Sequence, residues 1–312
     1  MRPAVSIIVL VYGVEKYIER CARALFGQTM EDLEYIIVDD CTQDRSMDIL
    51  FRVLEDYPQR KGQVKVIHNE VNRGQAYSRR VGVEAATGEY IIHCDSDDWP
   101  ELEMYAKLYA KATEGNLDIV LCQKSVHCMG KIDRETSTME PDDLLASLIR
   151  RETYCQLFNK LVSRKAYEKG IVYPRTNIAE DLVILTQLVY NSDSFGYIHE
   201  PLYNYVIWEG SISQTKNSVE KIEQIRENFD ILLSFLEAEG LSQKYKKEIV
   251  DLKCQLKSSV EDLPTDYYVN LYPEVNLALL FNKRFTIKER MGHLTHLLGI
   301  HGISKLFKGK RV

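Results

Sequence analysis

The sequence of 312 residues lacks the marks of several large protein classes. Its seven cysteines, at positions 21, 41, 94, 122, 128, 155 and 254, are odd in number and contain no CxxC pair. That argues against a disulfide framework or a zinc site and for free thiols in a reducing compartment. Sixteen glycines and eight prolines are too few for a collagen-like or low-complexity chain. No apolar run approaches the roughly 18 residues of a membrane span. The opening run Val5–Val11 is too short for a secretion signal and meets no small-residue cleavage site. The expected location is therefore cytoplasmic. A basic excess is missing as well: 40 Lys and Arg face 46 Asp and Glu, for a net charge of −6, which disfavours a nucleic-acid binder. The glycine signatures GxGxxG, GxxxxGK[ST] and GxSxG are absent, which removes dinucleotide oxidoreductases, P-loop NTPases and α/β-hydrolases.

Present instead is an alternation of strand and helix patterns. Val5–Val11 is a continuous β-branched run, as expected of a strand buried on both faces. Val14, Tyr17, Ile18, Cys21, Ala22 and Leu25 then recur at helical spacing. Strand patterns follow at 34–40, 64–68, 89–94 and 118–122, with helix patterns at 46–57, 74–86 and 101–113 between them. Such alternation predicts a mainly parallel sheet covered on both faces, whose ligands bind beyond the carboxyl ends of the strands.

Acids cluster at those predicted ends: Asp39-Asp40 after the second strand, and Asp95-Ser96-Asp97-Asp98-Trp99 after the fourth. Carboxylates at a strand end cost burial energy unless they meet a cation or hydrogen-bond donors. Two readings stand side by side. Asp95 and Asp97 converge on a hard divalent cation shared with substrate phosphates, or the Asp and Ser side chains bond their own turn.

In order and spacing, the motifs resemble family 2 inverting glycosyltransferases of the surface-polysaccharide type. The resemblance rests on the opening run 5–13, Gln28-Thr29, the segment 34–46, Asn72-Arg73-Gly74 with Ala76, Arg79 and Gly82, and the segment 88–98. It continues through Asn159-Lys160-Leu161, Glu180-Asp181, Pro201–Tyr205 and Gly210–Ser213, and so covers roughly residues 3–215. Cys41 stands where the family usually has glycine, and Arg80 where it usually has asparagine.

The resemblance implies a GT-A fold, Rossmann-like, with a mainly parallel sheet flanked by helices and a C-terminal helical extension. The catalytic domain is expected over 1–215 and a helical region over 216–312. The implied reaction moves a sugar, with inversion, from a UDP-sugar to an acceptor hydroxyl, with Mn²⁺ or Mg²⁺ as cofactor. Asp97 is implied as metal ligand with Asp95. Val9, Val11, Asp39, Arg79, Asp95 and Ser96 are implied on the donor side, with Asp39 at the nucleobase; plain strand core is the other reading of Val9 and Val11. Asp181 is the implied general base, with Glu180 and Asp98 as second choices; acids opening the helix after 181 also favour its dipole. Trp99 and Lys160 are acceptor-side candidates, and Trp99 equally reads as a core seal. The stretch 208–216 reads as a mobile loop or a linker.

Helical spacing runs from Val219 to Leu236 and again over about 242–260. In 282–312 eight basic residues meet a single acid, Glu289, with apolar residues interleaved, so residues 1–281 carry a net −13 within the total of −6. A basic amphipathic segment fits peripheral contact with anionic lipid; a solvated tail is the alternative. The expected partners are a nucleotide-sugar donor and a glycan or lipid-linked acceptor, at the inner face of the membrane and without nucleic acid. A noncatalytic sugar-nucleotide-binding relative is the runner-up. A pyrophosphorylase is disfavoured because no glycine-rich basic loop follows the first strand.

Overall fold

The computed structural model describes residues 2–128, 131–134, 140–208, 218–260 and 263–299. They divide into two compact units, Met1–Leu145 with Cys155–Thr215, and Ala146–Tyr154 with Lys216–Val312. The first unit thus gives up the short stretch 146–154, which the expected division at 215 does not separate.

In the first unit the β-branched runs form the centre of the sheet. Strands β1 (Val5–Val11), β2 (Leu33–Asp39), β3 (Val64–His68) and β4 (Tyr90–Asp95) lie parallel in the order β3-β2-β1-β4. Ile7, Ile8, Val9 and Val11 of β1 are fully buried, each worth roughly 1.5–3 kcal/mol relative to exposure. Helix α1 (Ile18–Phe26) buries Ile18, Cys21, Ala22, Leu25 and Phe26 along one face. Helices α2 (Ser46–Glu55), α3 (Gln75–Ala85) and α4 (Met104–Gly115) complete the crossovers. Gly82 allows α3 its close approach to β1, since a Cβ there would collide with the Ile8 side chain.

Beyond β4 the sheet is mixed, where the sequence pattern points to a mainly parallel one. Strand β5 (Trp99–Pro100) is a two-residue edge. Strand β6 (Ile119–Cys128) runs past the expected end at 122 and pairs with β7 (Lys131–Arg134). Strand β8 (Lys160–Ser163) inserts antiparallel between β4 and β6, and β9 (Phe195–Ile207) lies parallel to β6 and antiparallel to β5. The second half of β6 is polar and β8 is only four residues long, so neither carries the β-branched run that marks a central strand. Helices α5 (Leu144–Ile149), α6 (Arg164–Glu168) and α7 (Glu180–Tyr190) lie between these strands in sequence.

The second unit is helical: α8 (Val219–Ala238), α9 (Lys246–Ser258), α10 (Thr265–Asn270), α11 (Asn276–Phe281) and α12 (Ile287–Leu297). The buried ammonium of Lys257 donates to the carbonyls of Tyr268, Val269 and Leu271 at 2.5, 3.1 and 2.6 Å. It thereby satisfies carbonyls that the end of a short helix leaves unpaired. Thr286 and Glu289 form a capping box at the start of α12. Among the described residues no helix is long and apolar enough to cross a membrane.

Candidate functional site

The parallel register brings the carboxyl ends of four strands to one edge. Val11 pairs with Asp39, Leu10 with Asp95 and Asp39 with His68. The two aspartates after β2 divide their work. Asp40 is buried and clamps the loop before α3, accepting from Asn69 Nδ2 at 2.7 Å and from the N–H groups of Arg73 and Gly74 at 2.9 and 2.8 Å. Gly74 needs to be glycine: its φ is +82° and a Cβ would strike Asn177. Asp39 accepts from the Thr42 N–H at 2.8 Å and pairs with His68 Nδ1 at 2.9 Å.

Arg79 is the hub. It is buried on α3, and its Nη2 lies 3.3 Å from Asp95 Oδ1 and 3.4 Å from Asp181 Oδ1, while Nε lies 3.5 Å from Glu180 Oε1. Burial works against its charge, but the three carboxylates outweigh it and hold the guanidinium firmly protonated. The acids pay for the crowding. Burial and Asp181 push the Glu180 carboxyl well above the usual range. Burial and Asp95 raise Asp181 against the pull of Arg79 and Lys160. Glu180 and Asp181 form the first turn of α7, preceded by Ala179 in the left-handed region at φ 65°. That uncommon conformation for a residue with a Cβ sits where the chain turns both acids toward Arg79.

The acidic turn after β4 is partly internal. Asp97 accepts from Trp208 Nε1 at 2.9 Å, and its carbonyl accepts from Arg20 Nη2 at 3.3 Å. Burial and Asp95 raise its carboxyl. Ser96 is buried between the two acids. Asp98 is fully buried, accepts from the Val206 N–H at 2.7 Å with Oδ1, and leaves Oδ2 without a hydrogen-bond partner. Burial and Asp97 hold it well above the carboxylate range. Trp99 stacks under the Arg20 guanidinium at 3.6 Å and meets His127 at 4.6 Å.

Several predicted residues are turned inward. Val9 and Val11 pack in the core, and the Val11 carbonyl accepts from the Asp40 N–H. Lys160 is buried and donates to Gln156 O and Asn159 Oδ1 at 2.7 and 2.8 Å; burial and Lys124 lower it to about 8. Of the stretch 208–216 only Trp208 is described, and Gly210–Ser213 lies outside the described residues, as does the tail beyond 299. Arg20, His68 and Trp208 join the site through contacts that no local pattern signals.

A divalent ion suits this edge in part. Asp95 and Asp97 offer hard oxygen ligands, and burial of Asp97 against Asp95 is the arrangement a cation would relieve. Among the described residues no group of three or more His, Cys, Asp or Glu is gathered to hold a metal by itself.

Residues 6–173 match the family described as glycosyl transferase family 2. The putative glycosyltransferase EpsH of Bacillus subtilis is 31% identical over 269 residues, 83% of this chain and 76% of that protein. Among solved structures, S. aureus TarS 1–349 in complex with UDP-GlcNAc aligns at a TM-score of 0.63 and 20% identity, over 95% of this chain and 87% of that one. The mannosyltransferase PcManGT from Pyrobaculum calidifontis, in complex with GDP-Man and Mn2+, aligns at 0.55 and 16% identity, over 99% and 89%. The structural likenesses carry the GT-A type of α/β fold, and the sequence match carries the family: the chain belongs to glycosyl transferase family 2.

Proposed function

We propose that this glycosyltransferase moves a sugar from a UDP-sugar to an acceptor hydroxyl, with inversion, in the synthesis of a polysaccharide or other glycan. The observation that carries the reading is the Arg79 hub: one nitrogen lies within 3.4 Å of both Asp95, at the end of β4, and Asp181, at the start of α7. A donor-side acid and a candidate base thus share one centre.

In this reading Asp39 accepts from a ring N–H of the base, and His68 and Thr42 fix its carboxylate. The ribose and diphosphate lie along Asp95, Ser96 and Asp97. Asp95 and Asp97 would hold Mn²⁺ or Mg²⁺, which when bound supplies positive charge for the leaving diphosphate. Asp181 takes the proton of the acceptor hydroxyl as that oxygen attacks the anomeric carbon. It suits this better than Asp98, because its side chain keeps 16% exposure while Asp98 is sealed in the sheet. Arg79 orients Asp181 and favours its ionised form beside Glu180, against the burial that raises it, and Lys160 adds to that field. Trp99, braced by Arg20, offers an aromatic surface on the acceptor side. The UDP preference is supported by a TarS structure holding UDP-GlcNAc, and the metal by a PcManGT structure holding Mn2+. The acceptor is a glycan or a lipid-linked saccharide, met at the inner membrane face through the basic segment 282–312.

Hydrolysis of UDP-, GDP- and dTDP-sugars, with Mn²⁺ and with a chelator, tests the reading. Turnover greatest for a UDP-sugar and cut at least roughly tenfold by the chelator is expected. Binding of a nucleotide sugar without turnover of any would favour the noncatalytic alternative.

A further inference from the structure

The second unit carries an unusual concentration of exposed apolar side chains. Leu277 and Phe281 of α11 are 70% and 78% exposed, and Ile287, Met291 and Leu298, in and just after α12, are 72%, 40% and 62% exposed. The spacing places Leu277 with Phe281, and Ile287 with Met291 and Leu298, in one stripe on each of two helices that contact each other. The inner side of this pair is already satisfied: Leu279 and Phe285 pack with Cys254 and Val275. Single exposed apolar residues need no explanation, but a cluster does.

Cations surround the stripes. Residues 276–299 hold Lys283, Arg284, Lys288 and Arg290 against one acid, Glu289, which is engaged in the capping box with Thr286. A groove of about 680 Å³ opens beside Phe281, lined also by Arg150, Lys247, Val250, Lys283 and Arg284. Its two acids are already paired, Glu152 with Arg150 and Arg284, and Asp251 with Arg284. Among the described residues the side chains of Lys247, Lys283, Lys288 and Arg290 have no acidic partner.

We propose that this face docks on an anionic phospholipid bilayer, with Phe281 and Ile287 entering the interface and Lys247, Lys283 and Lys288 meeting headgroup phosphates. This rests on the peripheral contact read from 282–312, and it moves the contact from the tail to two folded helices. Unpaired cations beside exposed apolar side chains match lipid, whose surface is anionic and whose interior is apolar. A second copy of the chain suits the face less well, because a twofold interface would set the same lysines against one another.

Flotation of the full chain with vesicles of phosphatidylcholine, alone or with roughly a third phosphatidylglycerol, tests the proposal. Binding is expected only to the anionic vesicles and is weakened by salt. The pair Phe281→Ser with Ile287→Ser should lower it at least roughly tenfold, and Lys247→Gln with Lys283→Gln about fivefold per lysine removed. These surface changes should leave UDP affinity untouched, so failure of the donor reading is read separately. If the chain floats but only Lys305→Gln with Lys308→Gln and Lys310→Gln reduce it, the tail binds and the face proposal falls. If the chain does not float, both membrane readings fall. A dimer in light scattering that Phe281→Ser disrupts, without flotation, would assign the face to a second copy and overturn the proposal.

Discussion

Three carboxylates, each within 3.5 Å of one guanidinium, form a device for setting a proton affinity. Arg79 from α3 and Lys160 from β8 favour the ionised form of Asp181, while burial and Asp95 from β4 oppose it, and the balance raises the carboxyl above its ordinary range. Glu180, raised further, holds its proton more firmly. A base works ionised, so activity must fall as pH drops through the raised value. The acid limb of kcat/KM is therefore expected above the ordinary aspartate value of about 3.9. A pH-rate profile whose acid limb lies at or below that value would contradict the assignment of Asp181. At this scale the sequence showed which acids are present but not their partners. Trp208 and Asp97 are 111 residues apart and Arg20 and Asp97 are 77 apart, so their contacts exist only once the chain is folded.

The turn joining β2 to α2 shows how an element records a departure from its family. Cys41 occupies the position where glycine is usual, and its φ is +61°. A side chain in the left-handed region costs about 1–2 kcal/mol, against roughly 0.5–1 kcal/mol for the extra chain entropy of glycine. Cys41→Gly should therefore stabilise the fold by up to about 1.5 kcal/mol, read as a higher urea midpoint at unchanged m-value. Clear destabilisation would mean that the thiol contacts, at 3.6 Å to the Glu70 carbonyl and 3.4 Å to Gln43, secure the turn instead. The central strands were legible for a simple reason: β1, β2 and β4 are buried on both faces, so their composition alone marks them. Strand β8 and the second half of β6 were not, because a four-residue strand and a polar segment lying between β7 and β9 acquire their pairing from neighbours rather than from composition.

Across the whole chain, the net charge of −6 averages an acidic majority with a basic C-terminal segment. The acids that matter in the first unit gather at one sheet edge, and the unpaired cations of the second unit gather around α11 and α12. The order of motifs was enough to anticipate the family and the parallel half of the sheet. It allowed Asp40 a turn-holding role but on the turn that follows it, not on the loop before α3, and it did not anticipate that Lys160 is internal or that 146–154 belongs with the helical unit. The Asp40 clamp and the placement of 146–154 follow from contacts between segments far apart in the sequence, while the Lys160 ammonium is held within its own segment by Gln156 and Asn159. We propose Asp181 as the base of a sugar transfer whose donor is held by the β2 and β4 strand ends. The most direct test is Asp181→Asn, with transfer rate and UDP affinity measured on the same preparation. Transfer is expected to fall at least roughly a hundredfold, the usual scale for general-base loss, while UDP affinity stays within about twofold. Transfer at a rate near that of the unaltered enzyme would contradict the assignment.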